Sequence, residues 1–165
     1  MNDNDPTGVN PHATEIAGII GSDASDTGSP EGIAGINWDV SIMNLKVGGM
    51  DTQLAYVAAA IEYAAKNGAH VINASWGFGC GNPAPSCRTT CLPTMRDAIE
   101  LAADREVLVV ASAGNNDLNI DVPLCFTDQY PASFDLPNVV AVAATDVGDH
   151  RWVVVPDVSG SNYGG

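Results

Sequence analysis

An apolar run that ends in small residues and an asparagine is the part of this sequence best suited to chemistry. Residues 107–116 read Val-Leu-Val-Val-Ala-Ser-Ala-Gly-Asn-Asn. The four large apolar residues predict a strand buried on both faces of a parallel sheet. Asn115 then follows this strand, and ligands of open α/β sheets bind at the carboxyl ends of strands, so its carboxamide is a candidate hydrogen-bond donor. The alternative is an ordinary core strand that ends in a Gly-Asn turn.

Several short motifs occur in a fixed order along the chain. His12 opens the segment His-Ala-Thr-Glu-Ile-Ala-Gly, residues 71–77 read Val-Ile-Asn-Ala-Ser-Trp-Gly, and residues 113–115 read Ala-Gly-Asn. Residues 130–146 begin Tyr-Pro-Ala-Ser, and residues 161–164 read Ser-Asn-Tyr-Gly. Each piece is weak alone, since a lone histidine at a helix start is usually a cap or a surface residue. Together they cover nearly the whole chain and resemble the subtilisin-like serine peptidases, the subtilases.

The resemblance implies a role for each motif. His12 would be the general base that takes a proton from a serine nucleophile. Asn115 would donate its amide to the oxyanion of the tetrahedral intermediate. A peptide or small ester substrate would lie between two segments and be held by backbone pairing. One segment consists of Ser75, Trp76 and Gly77, and the other of Ala113 and Gly114.

Two members of the family's catalytic triad have no matching motif in these 165 residues. No Asp-[Ser/Thr]-Gly motif precedes His12, and the nucleophile motif Gly-Thr-Ser-Met-Ala does not occur. The histidine motif is also altered, with Ala13 in place of glycine and Glu15 where the family often has histidine. Because triad members act as a unit, we predict negligible proteolysis by this chain alone. The chain is therefore expected to be an excised piece of a serine hydrolase.

Weak ester hydrolysis is the activity that the remaining residues could support, because activated esters need less catalysis than amides. His12 could act directly or through a nearby hydroxyl, with Asn115 as oxyanion donor. Ser75 is the candidate hydroxyl, although a serine after a strand is more often a turn residue. The alternative function, from a different class, is a non-catalytic remnant that keeps a peptide-binding groove.

Structural calcium is the one cofactor that the resemblance suggests, and the chemistry itself requires none. Subtilases commonly bind calcium in loops, and oxygen-rich loops suit this ion. Four aspartates surround residues 130–137, and these are Asp117, Asp121, Asp128 and Asp146. No EF-hand spacing occurs, so solvated acidic loops are an equal alternative.

Charge and cysteine content restrict the partners and the compartment. With 20 acidic and 6 basic residues, the formal net charge is −14, which disfavours nucleic acid and anionic membranes as partners. No apolar run is long enough to span a membrane. The four cysteines favour two disulfides and an oxidising compartment, with a zinc site as the weaker alternative. We expect a secreted or extracytoplasmic origin, although this chain has no signal peptide.

Apolar periodicity predicts helices that alternate with strands. Helices are expected at 12–20, which should be buried, at about 52–66 and at 93–105. Strands are expected at 42–47, 70–75, 107–112, 138–144 and 152–155, followed by a flexible glycine-rich end. This order predicts one α/β domain over residues 1–165, with a mostly parallel sheet, helices on both faces and three layers. The architecture would be a partial subtilisin-like fold.

One strand of the subtilase sheet has no counterpart in this sequence. It would lie between the strands that match residues 42–47 and 70–75. We expect these two strands to pair directly, with another chain in the gap as the alternative. Exposed sheet edges recruit partners, so we also expect the protein to self-associate.

Overall fold

The computed structural model describes residues 11–23, 33–47, 53–79, 92–122, 127–155 and 159–164. These residues belong to two compact units, Met1–Gln53 and Leu54–Gly165. All four cysteines, and with them the predicted disulfides, lie outside the described residues. No helix in the described parts of the chain is both long and apolar enough to cross a bilayer.

Helix α1, His12–Gly21, is the helix of the first unit. Its position confirms the predicted helix, but the expectation that it is buried was wrong, because none of its residues is buried. The chain returns along its end, where the amide of Ile36 donates to the carbonyl of Ile19 over 3.0 Å. Gly35 permits this approach, since a Cβ atom there would lie 2.3 Å from the amide nitrogen of Ser22.

Residues 42–47 of the first unit form no strand, so the strand predicted there was wrong. Their apolar side chains are exposed, with Ile42 at 41% and Met43 at 43%. Apolar alternation favours a strand only where a neighbouring strand supplies hydrogen bonds and a covered face. Among the described residues this segment has no assigned sheet partner. The expected direct pairing with residues 70–75, which belong to the second unit, stays a prediction.

Two helices of the second unit pack against each other and supply much of its core. Helix α2 is Leu54–Lys66 and helix α3 is Pro93–Ala103, close to the predicted bounds. Gly68 has a φ of +86° just after α2, which suits a glycine at the end of a helix. Pro93 occupies the first turn of α3, where its missing amide hydrogen costs no hydrogen bond. The fully buried helix residues include Val57, Met95 and Ile99.

A three-stranded parallel sheet in the order β1-β2-β3 confirms the α/β class. The strands are β1 at Val71–Ala74, β2 at Leu108–Ser112 and β3 at Val139–Val142. Burial on both faces of β2 was wrong, because Val109 and Ala111 are buried whereas Leu108 is 38% exposed. The register pairs Ala74 with Ala111. Ser75 and the segment 113–115 therefore follow neighbouring strands at the same edge of the sheet.

A short antiparallel pair, β4 at Val153–Val155 and β5 at Ser159–Gly160, precedes the last described residues. The prediction of a strand at 152–155 is thus confirmed. The predicted flexible end was wrong for residues 159–164, because Ser161 is 2% exposed and Asn162 is fully buried. The small residues there pack closely and are held by hydrogen bonds, so they do not form a loose tail.

Candidate functional site

A pocket of about 230 Å³ lies at the carboxyl ends of the three parallel strands. Three of the predicted site residues, Ser75, Gly114 and Asn115, line it together. The other lining residues are Asn73, Val110, Ala111, Ser112, Val142, Ala143, Ala144 and Ser161.

Asn115 presents its carboxamide to solvent at the rim of this pocket. The residue is exposed, and its side chain makes no hydrogen bond with any described residue. Its backbone is fixed, because the amide of Gly160 donates to the carbonyl of Asn115 over 3.3 Å. An amide that is held by its backbone and unpaired at its side chain can donate to an anionic oxygen without first breaking a bond.

Asn162 holds the loop that carries Asn115, and sequence reasoning gave it no role. Its Nδ2 donates to the carbonyl of Ala113 over 2.8 Å, and its backbone amide donates to the carbonyl of Gly114 over 2.8 Å. Its Oδ1 accepts from the amides of Asn116 and Leu118, over 2.9 and 3.0 Å. Residues on both sides of Asn115 are therefore bound to one buried side chain. The motif Ser-Asn-Tyr-Gly was the signal that could have identified it.

Ser75 is half-buried, and Asn73 donates to its hydroxyl oxygen over 2.9 Å. A carboxamide cannot accept a proton, so Asn73 orients this hydroxyl without activating it. The two histidines of the second unit, His70 and His150, are exposed. His70 precedes β1 whereas Ser75 follows it. The Nδ1 atom of His150 lies 3.5 Å from Asp146 Oδ1.

The two predicted peptide-binding segments differ in their hydrogen bonding. The amide of Ala113 donates to Val142 over 3.0 Å, and both carbonyls of residues 113–114 accept from Asn162. Trp76 and Gly77 make no backbone hydrogen bond to another described residue. Trp76 packs edge-to-face on Phe78, with the ring centroids 5.7 Å apart. Residues 76–77 can therefore pair with a peptide, while residues 113–114 form a wall.

His12 is the first residue of α1 and is exposed. It belongs to the first unit, whereas Asn115 belongs to the second. That His12 and Asn115 share a cleft therefore stays a prediction.

The acidic residues considered for calcium have other partners. Arg151 donates from Nη1 to Asp117 Oδ1, and the Tyr130 hydroxyl donates to Asp128 over 3.0 Å. Asp146 accepts from the amides of Gly148 and His150 over 2.7 and 3.1 Å. No group of three metal-ligating side chains occurs among the described residues. These contacts give no support to a shared calcium site, and calcium binding stays a prediction.

Comparison with known proteins gives one family. The model of the subtilase family matches residues 1–159. A thermophilic serine proteinase of Bacillus sp. (strain AK1) is 38% identical over 166 residues, which cover 99% of this chain and 34% of that protein. Thermitase of Thermoactinomyces vulgaris is 35% identical over 153 residues, covering 91% of this chain and 47% of thermitase. The chain thus spans about a third to a half of the length of these curated relatives.

Comparison with solved structures also finds proteases. The protease domain of PatA is 27% identical, with a TM-score of 0.65 over 100% of this chain and 52% of that domain. The nisin leader peptidase NisP of Lactococcus lactis is 24% identical, with a TM-score of 0.74 over 98% of this chain and 47% of NisP. At that identity the second match shows the fold alone.

Proposed function

This chain belongs to the subtilase family, and from that premise we propose that it supplies the oxyanion donor, the general base and the peptide groove of a serine peptidase domain. In this proposal Asn115 stabilises the tetrahedral oxyanion and His12 transfers the proton. The 165 residues contain no Gly-Thr-Ser nucleophile motif. Proteolysis by the chain alone is therefore negligible, and activated esters are the substrates within its reach.

The observation that supports the oxyanion role is the state of the Asn115 side chain. Its carboxamide is exposed at the pocket, while the carbonyls of both preceding residues accept from the buried Asn162. A donor that is placed before the reaction stabilises developing charge without the cost of reorganisation. The same amide would contribute to any acyl transfer in which the carbonyl oxygen enters this pocket.

The experiment compares hydrolysis of a p-nitrophenyl ester and of a peptide p-nitroanilide by the purified chain. We expect slow ester turnover, lowered at least about tenfold in His12→Ala and in Asn115→Ala, because each removes a group that acts in the transition state. Peptide hydrolysis should stay at background. Rapid peptide hydrolysis that is lost in His12→Ala would contradict the predicted inactivity. Ester turnover that neither substitution changes would contradict the assigned roles.

Ser75 tests whether the chain has a nucleophile of its own. If Ser75 attacks the ester, Ser75→Ala should abolish turnover and the wild type should be labelled by a fluorophosphonate. The hydrogen bond from Asn73 favours an orienting contact over activation, so direct catalysis by His12 is the mechanism we propose. Labelling at Ser75 would overturn this choice.

A non-catalytic groove is the second candidate function, and one observation favours it. Trp76 and Gly77 keep their backbone groups unpaired among the described residues, so they can add a peptide strand without any chemistry. Peptide binding that perturbs the NMR signals of these residues, combined with no ester turnover, would assign the chain to this class.

An oxidising compartment is also part of the proposal, and its support is the cysteine count. Two disulfides among Cys80, Cys87, Cys91 and Cys125 would be consistent with a secreted peptidase. Mass spectrometry of the unreduced protein tests this, because two disulfides lower the mass by about 4 Da. Four alkylatable thiols in the native protein would contradict it.

A further inference from the structure

Arg151 joins two segments that border the proposed oxyanion donor. Its Nη1 atom donates to Oδ1 of Asp117, in the loop after β2. The same atom donates over 3.0 Å to the carbonyl oxygen of Ser161, in the last described segment. Asp117 follows Asn115 by two residues, and Ser161 directly precedes the buried Asn162. One guanidinium nitrogen therefore bridges the loop that carries the oxyanion donor to the segment that anchors this loop.

The surroundings of the Arg151 side chain hold it in this position. The side chain of Asp117, which accepts its hydrogen bond, is 4% exposed, whereas that of Arg151 is 36% exposed. The guanidinium carbon also lies 4.4 Å from the centroid of the Tyr163 ring. A cation between a buried carboxylate and an aromatic face is attracted by both, and water screens such a pair less than a surface pair. The bridge is therefore a fixed contact.

The backbone of Asn115 is tied to the same segment only by its neighbours in the chain and one long bond. The amide of Asp117 donates to the carbonyl of Gly160 over 3.0 Å, and the amide of Gly160 donates to the carbonyl of Asn115 over 3.3 Å. The second distance exceeds the usual range for an amide hydrogen bond. A charged bridge from Arg151 to residue 117 therefore restricts the loop where its backbone pairing is weak.

We propose that Arg151 is a positioning residue for the hydrolytic reaction, because it holds the loop in the arrangement that directs the Asn115 carboxamide at the oxyanion. Arg151 itself contacts no substrate in this mechanism. The inference rests on the proposed function and adds a residue to it. A donor stabilises the transition state only if it is placed before the charge develops, and a small displacement of such a group lowers the rate. The effect should therefore appear in kcat and not in KM.

The test measures p-nitrophenyl ester hydrolysis by variants that circular dichroism shows to be folded. Arg151→Met removes both hydrogen bonds and keeps an unbranched chain, so we expect kcat to fall about fivefold, the effect of weakening one hydrogen bond in the transition state. KM should not change. Arg151→Lys should stay within about twofold of the wild type, because one charged nitrogen can reach both acceptors. A lysine variant as slow as the methionine variant would contradict the bridging role.

Arg105→Met is the matched control for the loss of one positive charge. Arg105 is exposed just after α3, and its guanidinium donates only to the carbonyl of Leu101 among the described residues, over 3.3 Å. This variant should keep the kcat of the wild type. A fall in kcat equal to that of Arg151→Met would show that net charge, and not the bridge, sets the rate.

A double variant separates positioning from a general loss of structure. If Arg151 acts through the oxyanion donor, Arg151→Met should lower kcat no further when Asn115→Ala is already present. An equal loss in both backgrounds, or a wild-type kcat for Arg151→Met alone, would show that the inference is wrong. The proposed function would then stand, provided that Asn115→Ala alone lowers turnover. If the wild type does not hydrolyse the ester, or if Asn115→Ala leaves turnover unchanged, the proposed function and the inference are both wrong.

Discussion

Asn162 and Ala113 are joined by a buried hydrogen bond of 2.8 Å across 49 residues of sequence. The donor is the side-chain Nδ2 of Asn162, and the acceptor is the carbonyl oxygen of Ala113. This bond anchors the loop after β2 to the last described segment of the chain. The position of the proposed oxyanion donor therefore depends on a residue that touches no substrate in the proposed mechanism.

Asn162→Ala should destabilise the protein by roughly 3 kcal/mol, because it leaves buried partners without hydrogen bonds. The amides of Asn116 and Leu118 lose their acceptor, and the Ala113 carbonyl loses its side-chain donor. Urea unfolding measures the change. Asn116→Ala is the matched control, because that side chain is exposed, and it should change stability by less than about 0.5 kcal/mol. Equal effects of the two substitutions would show that Asn162 does not hold the loop.

Gly114→Ala should cost at least about 2 kcal/mol, since a Cβ atom there is opposed both by backbone conformation and by neighbours. The φ of Gly114 is +99°, and the new Cβ would lie 2.6 Å from Asn162 Nδ2. Thermal unfolding followed by circular dichroism provides the measurement. Gly79→Ala is the control, because no atom of the described residues lies within 4 Å of its added Cβ. A wild-type melting temperature for Gly114→Ala would contradict the packing described around Asn115.

The ion pair between Arg151 and Asp117 should couple the loop after β2 to the chain near β4. The Asp117 side chain is 4% exposed, and Arg151 also donates to the Ser161 carbonyl over 3.0 Å. We expect Arg151→Gln alone to cost about 2 kcal/mol, since it removes the cation that pairs with a buried carboxylate. Asp117→Asn suits the positive φ of +56° at that position and removes the charge.

A double-mutant cycle in urea measures this coupling. The double variant Asp117→Asn with Arg151→Gln should be less destabilised than the sum of the single variants, by about 1 kcal/mol or more. Strict additivity would mean that the two side chains contribute independently. The cycle would then contradict a role for this pair in fixing the loop.

Local pattern was sufficient to predict most helices and strands of the second unit. The spacing of Val57, Ile61 and Ala65 predicted α2, and these residues are buried in the core. The motif at residues 113–115 placed Asn115 after β2, at the pocket where the structure has it. Such features depend on residues close in sequence, which is why periodicity and turn chemistry predict them.

The errors concern features that depend on neighbours distant in sequence. Residues 42–47 alternate like a strand, yet a strand also needs a partner to accept its hydrogen bonds. The prediction that β2 is buried on both faces was wrong because an apolar composition does not determine which elements cover each face. Asn162 was given no role for the same reason, since its contact with Ala113 is long-range.

Self-association, which we propose from the exposed sheet, is testable through one face of β3. Val140 and Val142 are 45% and 49% exposed, and Leu108 on β2 is 38% exposed. A second copy of the chain that covers this face would bury apolar surface, which favours association in proportion to the area removed from water. Light scattering after size exclusion should therefore show a mass above 17.0 kDa that rises with concentration.

Val142→Lys should shift that equilibrium toward the monomer, because covering the face would then desolvate an unpaired charge. Val147→Lys is the matched control, since Val147 is fully exposed in a turn outside the sheet, and its mass profile should equal that of the wild type. Both variants add one positive charge to a chain of net charge −14, so a general effect of charge would appear equally in both. A wild type that stays monomeric at millimolar concentration would exclude this interface, and an equal response of the two variants would locate the association elsewhere.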